Sequence, residues 1–143
     1  MAKSKKYIPK QKYNPLVQIG AMKSRYPNFK VQKMDDGNII FIGNIQPKEY
    51  MREYTVSIEY RGDSEPHVKI ISPPLVEKPP HYYHASKRLC LFKPANFTWK
   101  ESTLIANHIV SWTSAWLYFY EIWLEKNEWL GPEASHDNNA EKL

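Results

Sequence analysis

Apolar and polar residues alternate along the first half of the chain in a pattern typical of antiparallel strands. The clearest run is residues 54–60, where every second residue is apolar or aromatic, as expected of a strand with one buried face. Extended stretches are also predicted from Phe29 to Gln32 and over residues 39–42, joined by the turn sequence Asp-Asp-Gly-Asn. A fourth strand, residues 67–71, follows the Arg-Gly-Asp-Ser turn. The pattern therefore predicts a four-stranded antiparallel meander.

A short helix is predicted ahead of this meander. Asn14-Pro15 is typical of a helix start, because proline is favoured in the first turn. Leu16, Ile19 or Gly20, and Met22 or Lys23 then give an amphipathic spacing, and Tyr26-Pro27-Asn28 ends it.

A longer helix is predicted after the meander. Thr98 and Glu101 have the spacing of a capping box, so we expect the helix to begin there and to run unbroken over residues 102–126. Apolar residues recur in it every three or four positions, which predicts a stripe buried against the sheet. The stripe consists of Leu104 or Ile105, Ile109, Trp112, Trp116, Phe119 or Tyr120, and Trp123.

Length and charge point to one domain. The 143 residues are enough to bury a core, and we expect a basic arm at residues 1–13, the domain at 14–131 and a polar tail at 132–143. The net charge of +5 comes partly from lysines of the arm, which we interpret as a solvated terminus rather than a nucleic-acid site. Residues 103–124 are long enough to span a bilayer, but their polar residues and Glu121 argue against a membrane. The lysine-rich start lacks an apolar signal core, which predicts a cytoplasmic protein.

Candidate chemistry centres on Cys90, the only cysteine in the chain. It lies in the apolar run 88–92, after a proline-rich segment that contains His81 and His84. A lone cysteine of this kind is either a small buried hydrophobe or a nucleophile, and a Cys-His hydrolase uses the same residue types. Cys90, His81 and His84 lack the fourth ligand and paired spacing of a zinc site, and no glycine-rich phosphate loop is present. We therefore predict no metal and no cofactor.

The order of these features resembles the ubiquitin-conjugating enzyme (E2) family over roughly residues 15–131. Members have a helix, a meander, a proline-rich stretch, a His-Pro-Asn motif, a cysteine between apolar residues and a tryptophan before the next helix. Pro73-Pro74, His81, Leu89-Cys90-Leu91 and Trp99 match those places. The asparagine has no counterpart, since Tyr82-Tyr83 follows His81.

The resemblance is closer to bacterial E2-like proteins of anti-phage defence (CBASS-type) operons. There a His-x-Tyr element precedes a Leu-Cys-Leu-Tyr element, and an aromatic helix resembles Trp-Leu-x-x-Tyr-Glu-x-Trp-Leu. His81-Tyr82-Tyr83, residues 89–92 and residues 116–124 are similar to these three elements.

The resemblance implies an α+β fold of the UBC/E2-like type, with an N-terminal helix, the four-stranded meander, an active-site loop and C-terminal helices. It also implies that Cys90 forms a thioester with the C-terminus of a partner protein and passes it to an amine. His81 and His84 are the residues expected to assist Cys90. His136 is a further candidate if it folds back, and Lys87, Arg88 or Lys93 would favour the thiolate if they point inward.

The implied partners are proteins. They are a ubiquitin-like protein or a cGAS-like nucleotidyltransferase, with an E1-like activating enzyme as a further candidate. The alternative is a module that keeps the E2 fold and binds a partner protein without catalysis.

Overall fold

The computed structural model describes residues 15–34, 36–92 and 96–132. The predicted arm, Lys93, His136 and all of the predicted tail except Pro132 lie outside these residues. Within the described part of the chain, no helix is both long and apolar enough to cross a membrane.

The first helix, α1, spans Pro15–Arg25, with proline at its first position as predicted. Lys23 and Arg25 occupy its last turn, where cations interact favourably with the helix dipole. The predicted apolar face is partly wrong, because Leu16 is 68% exposed. Met22 is buried as predicted, and the other buried residue is Gln18, one turn earlier, whose side-chain amide bonds to the start of a second helix.

The predicted meander is confirmed. Strands β1 (Lys30–Lys33), β2 (Ile39–Ile45), β3 (Tyr54–Arg61) and β4 (Ser64–Ser72) form one antiparallel sheet in that order. Alternate residues of β3 are buried and face the core. Two glycines with positive φ, Gly37 and Gly62, lie in the β1–β2 and β3–β4 turns, where other residues would be strained.

A small hairpin lies between the sheet and the last helix. Strand β4 ends before Pro73-Pro74, as the missing amide hydrogens of proline predict. The chain then forms β5 (Tyr82–Tyr83) and β6 (Arg88–Leu89), which pair in an antiparallel manner, a feature that the sequence pattern did not predict. The turn between them has Lys87 at a positive φ of 57°.

The last helix, α2, spans Ile105–Lys126 and runs unbroken through Ser111, as predicted. The predicted start at Thr98 is wrong, because the helix is preceded by Leu104, which has no side-chain cap. The described residues contain this one C-terminal helix rather than several. It ends at Asn127, which adopts the left-handed conformation common after helices.

Gln18 of α1 replaces the expected capping box. Its side-chain oxygen accepts a hydrogen bond from the Ile105 amide (3.0 Å), and its amide group donates to the Thr103 carbonyl (2.8 Å). Gln18 is 2% exposed, so water cannot substitute for these bonds. One side chain therefore joins α1 to the start of α2.

Replacing Gln18 by leucine is expected to lower the free energy of unfolding by about 3 kcal/mol, because buried partners lose their hydrogen bonds without a compensating contact. Urea denaturation measures the change. Val17→Ala, at a half-exposed neighbouring position, is the control and should cost less than about 1 kcal/mol. A Gln18→Leu protein as stable as the wild type would refute the capping role.

The core lies between one face of the sheet and α2. The predicted stripe of α2 is confirmed as core for Ile105, Ile109, Trp116 and Tyr120. Tyr120 packs edge-on against Tyr54 of β3, with ring centroids 6.4 Å apart. The remaining members, Trp112, Phe119 and Trp123, are half-buried, and two of them line the site described below.

Candidate functional site

The β5–β6 hairpin positions Cys90, the first residue after β6. Its amide donates a hydrogen bond to the carbonyl of His81, the residue before β5 (3.0 Å). His81 has a positive φ of 53°, an uncommon conformation for a residue other than glycine. Cys90 itself is only 1% exposed.

Trp116 of α2 anchors this hairpin to the rest of the fold. Its indole N–H donates to the same His81 carbonyl at 3.0 Å. Its ring stacks on Tyr120, with centroids 5.3 Å apart and planes at 13°. The Cys90 amide and the Trp116 indole donate to the same oxygen, the carbonyl of His81. The position of Cys90 therefore depends on a side chain 26 residues later in the sequence.

Cys90 lines a cavity of ≈ 200 Å³, referred to below as the Cys90 cavity. Five of its nine lining residues come from α2 and from Trp129, which follows this helix, and four of these five are aromatic. His81 also lines it, and the His81 imidazole lies against Trp129, with ring centroids 4.9 Å apart. The other lining residues are Leu91, Trp112, Ala115, Trp116, Phe119 and Pro132.

The two predicted assisting histidines have different positions. His81 shares the Cys90 cavity, whereas His84 is exposed and lies against the Tyr82 ring. His84 faces a separate groove beside Ile70 and Lys87. Lys87 is exposed as well. The structure therefore brings His81 to the cysteine and does not bring His84 there.

Tyr83 is the tyrosine of the His-x-Tyr element, and the sequence alone assigned it no role in the site. Its hydroxyl oxygen lies 3.5 Å from Cys90 Sγ, within hydrogen-bonding distance for sulfur. Tyr83 pairs with Arg88, so Cys90, two residues beyond Arg88, lies diagonally across the hairpin, within reach of an aromatic side chain. A predicted hairpin with this register would have revealed the pair.

Arg88 packs on Tyr83 rather than pointing at Cys90. Its guanidinium carbon lies 4.1 Å from the Tyr83 ring centroid, and its Nη1 donates to Glu65 Oε1 at 3.0 Å. Burial, followed by the hydrogen bond with Cys90, raises the pKa of Tyr83 above its usual value. Tyr83 therefore stays protonated over the physiological pH range.

The arrangement can support nucleophilic chemistry. Cys90 and His81 line one mainly apolar space, which is typical of a site that binds a substrate and excludes water, and the Tyr83 hydroxyl contacts Cys90 Sγ. Within residues 15–34, 36–92 and 96–132 no cluster of three or more histidine, cysteine, aspartate or glutamate side chains is arranged to hold a metal ion.

Comparison with known proteins identifies the family. No curated protein shows significant similarity to the sequence. The family of type II CBASS E2 proteins matches residues 18–137, which include most of α1 and all of the sheet, the Cys90 hairpin and α2. The resemblance found in the sequence is thereby confirmed: the chain belongs to the type II CBASS E2 family, the E2-like proteins of CBASS anti-phage operons.

Proposed function

We propose that the protein is an E2-like acyl transferase in bacterial antiviral defence, with a fold of the UBC/E2 type and Cys90 as its nucleophile. The observation that carries the proposal is the position of Cys90 at the end of a hairpin, lining an aromatic cavity, in a member of an E2-like family. Free thiols stay reduced in the cytoplasm, which is where we place this chemistry.

The proposed reaction has two steps. The Cys90 thiolate attacks the activated C-terminal carbonyl of a partner protein, presented as an acyl adenylate or as a thioester on another protein, and the activating group leaves. An amine then attacks the new thioester, forms an amide and releases the thiolate. The first product conserves the acyl-transfer potential, because a thioester is far more reactive than an amide.

The partner that supplies the C-terminus is proposed to be a cGAS-like nucleotidyltransferase or a ubiquitin-like protein. Activation of a carboxylate consumes a nucleotide, and this sequence contains no glycine-rich phosphate loop. A separate E1-like enzyme is therefore the proposed source of the activated acyl group.

Co-expression with its genomic neighbours tests the transferase directly. Intact mass measurement under non-reducing conditions is expected to show a covalent adduct with a second protein, and a thiol reductant is expected to release it. An adduct that resists the reductant would contradict a thioester.

One observation favours a second candidate function, a binding module without catalysis. Cys90 is 1% exposed, and a buried cysteine is more often a packing residue than a nucleophile. The two functions predict different reactivities for the Cys90 thiol. A Cys90 that resists iodoacetamide in the folded protein, together with the absence of any adduct, would favour the binding module.

His81 is proposed to act as the acid or base that assists transfer, with His84 as the less favoured candidate. Asparagine tolerates the positive φ of His81 better than most residues, so His81→Asn removes the imidazole and keeps the backbone. We expect this variant to slow transfer from Cys90 to an amine about 100-fold.

His84→Asn is the matched control for this test. His84 lies in the turn between β5 and β6 and is exposed, so the transfer rate of this variant is expected to stay within about threefold of wild type. Single-turnover transfer to an amine measures both rates. Equal effects of the two substitutions would contradict the assignment of His81.

A further inference from the structure

The Tyr83 hydroxyl is a polar side-chain group in contact with Cys90 Sγ. With the sulfur protonated, Cys90 Sγ–H donates to the hydroxyl oxygen across 3.5 Å. The hydroxyl hydrogen rotates freely, so the same pair reverses its direction when the sulfur loses its proton. Tyr83 then donates to the anion.

The surroundings of Cys90 make its thiolate dependent on a hydrogen-bond donor. Cys90 is 1% exposed and adjoins an aromatic wall, and burial among apolar groups disfavours a charged sulfur. A hydrogen bond to the charged form opposes this effect and is stronger than one between neutral groups. A thiolate at this position therefore depends on the donors aimed at it.

The Tyr83 ring is held in place from its other side. Arg88 lies over the ring face at 4.1 Å, and Glu65 of β4 fixes the guanidinium through a 3.0 Å ion pair. Both charged side chains are partly shielded, at 18% and 32% exposure. A cation over the ring also draws electron density from the phenol, which makes its O–H a better donor.

We propose that Tyr83 is a positioning residue for the nucleophile: its hydroxyl donates a hydrogen bond to the Cys90 thiolate, and Arg88 and Glu65 hold its ring in the orientation that this bond requires. The inference rests on the proposed role of Cys90 as the nucleophile.

The test is the pH dependence of Cys90 alkylation by iodoacetamide in the isolated protein, followed by intact mass. In Tyr83→Phe we expect the pH midpoint of the rate to rise by about one unit, and the rate at pH 7 to fall about tenfold. The plateau rate at high pH should stay within about twofold of wild type, because the thiolate is then fully formed. A packing defect would instead change the rate by the same factor at every pH.

Tyr82→Phe is the matched control, since Tyr82 is the neighbouring residue of the same strand and packs against Trp116 and His84. Its midpoint is expected to equal that of wild type. Arg88→Met keeps a long side chain and removes the cation, so its midpoint should lie between those of wild type and Tyr83→Phe.

An unchanged midpoint in Tyr83→Phe would overturn the proposal, and so would an equal shift in Tyr82→Phe. An unchanged midpoint in Arg88→Met would overturn the part assigned to Arg88. The measurement needs no partner protein. A negative result would therefore refute the role of Tyr83 alone. The transferase function is tested separately, by the protein adduct.

Discussion

Replacing Cys90 by alanine is expected to abolish the reductant-sensitive adduct completely, because no other cysteine in the chain can form a thioester. The fold should survive, since alanine differs from a buried cysteine by a single sulfur atom in an apolar setting. We expect a loss of about 1 kcal/mol in the free energy of unfolding. Intact mass of the co-expressed proteins measures the adduct, and thermal unfolding measures the fold.

Cys90→Ser separates nucleophilic chemistry from packing. Serine keeps the size and a hydrogen-bonding group, but its hydroxyl is a much weaker nucleophile without strong activation. Any acyl group it accepts would be held as an oxygen ester, which a thiol reductant at neutral pH releases far more slowly. A reductant-sensitive adduct that persists in Cys90→Ala would mean that Cys90 does not carry it.

Trp116→Ala is expected to have the second largest effect, because one side chain serves both the core and the site. Loss of a buried aromatic side chain costs about 3–5 kcal/mol of stability. The His81 carbonyl would also lose its indole donor, which loosens the backbone that holds the Cys90 amide. Since a displacement of about 1 Å can cost 100-fold in rate, we expect adduct formation to fall at least that much.

Trp116→Phe separates these two contributions. It keeps a ring in the cavity wall and removes the donor to His81, so adduct formation should fall about tenfold with a stability loss of about 1–2 kcal/mol. Trp123→Phe is the matched control, since Trp123 lies two turns further along α2 and is not among the residues lining the Cys90 cavity. Urea denaturation and the rate of adduct formation give the two quantities. Equal rates in Trp116→Phe and Trp123→Phe would contradict the anchoring role of the indole N–H.

The meander was predictable because its signals are local. Alternation over β3 places one side of the strand in the core, and the glycines of the two turns supply the positive φ values that tight connections need. The unbroken α2 was predictable for the same reason, since Ser111 leaves the backbone hydrogen bonds intact where proline would remove one.

The start of α2 was not predictable, because its cap comes from a residue 87 positions away. Thr98 and Glu101 have the local spacing of a capping box, but Gln18 provides the hydrogen bonds. The local pattern also gave a partly wrong prediction for α1, in which the Gln18 side chain is buried and Leu16 is exposed. Tertiary hydrogen bonds of Gln18 overrode the local sequence pattern in both helices.

The site was predictable only in part. The motif identified Cys90 and His81 as neighbours, and the structure brings both to one cavity. The contact of Tyr83 with Cys90 was missed, although Tyr83 belongs to the His-x-Tyr element, because two-residue strands are too short to leave a periodic signal in the sequence. The aromatic stripe of α2 was assigned entirely to the core, yet Trp112 and Phe119 line the Cys90 cavity, since a helix stripe does not reveal which neighbour each ring meets.

In the proposed mechanism, Cys90 Sγ carries the C-terminal carbonyl of a partner protein. Peptide mapping of the purified adduct by tandem mass spectrometry, with digestion at low pH to preserve a thioester, locates this bond. We expect a cross-linked pair that joins the partner's C-terminal residue to Cys90, with a mass equal to the two peptides less one water. A linkage at a lysine or the N-terminus of this chain, with Cys90 recovered as a free thiol, would contradict it.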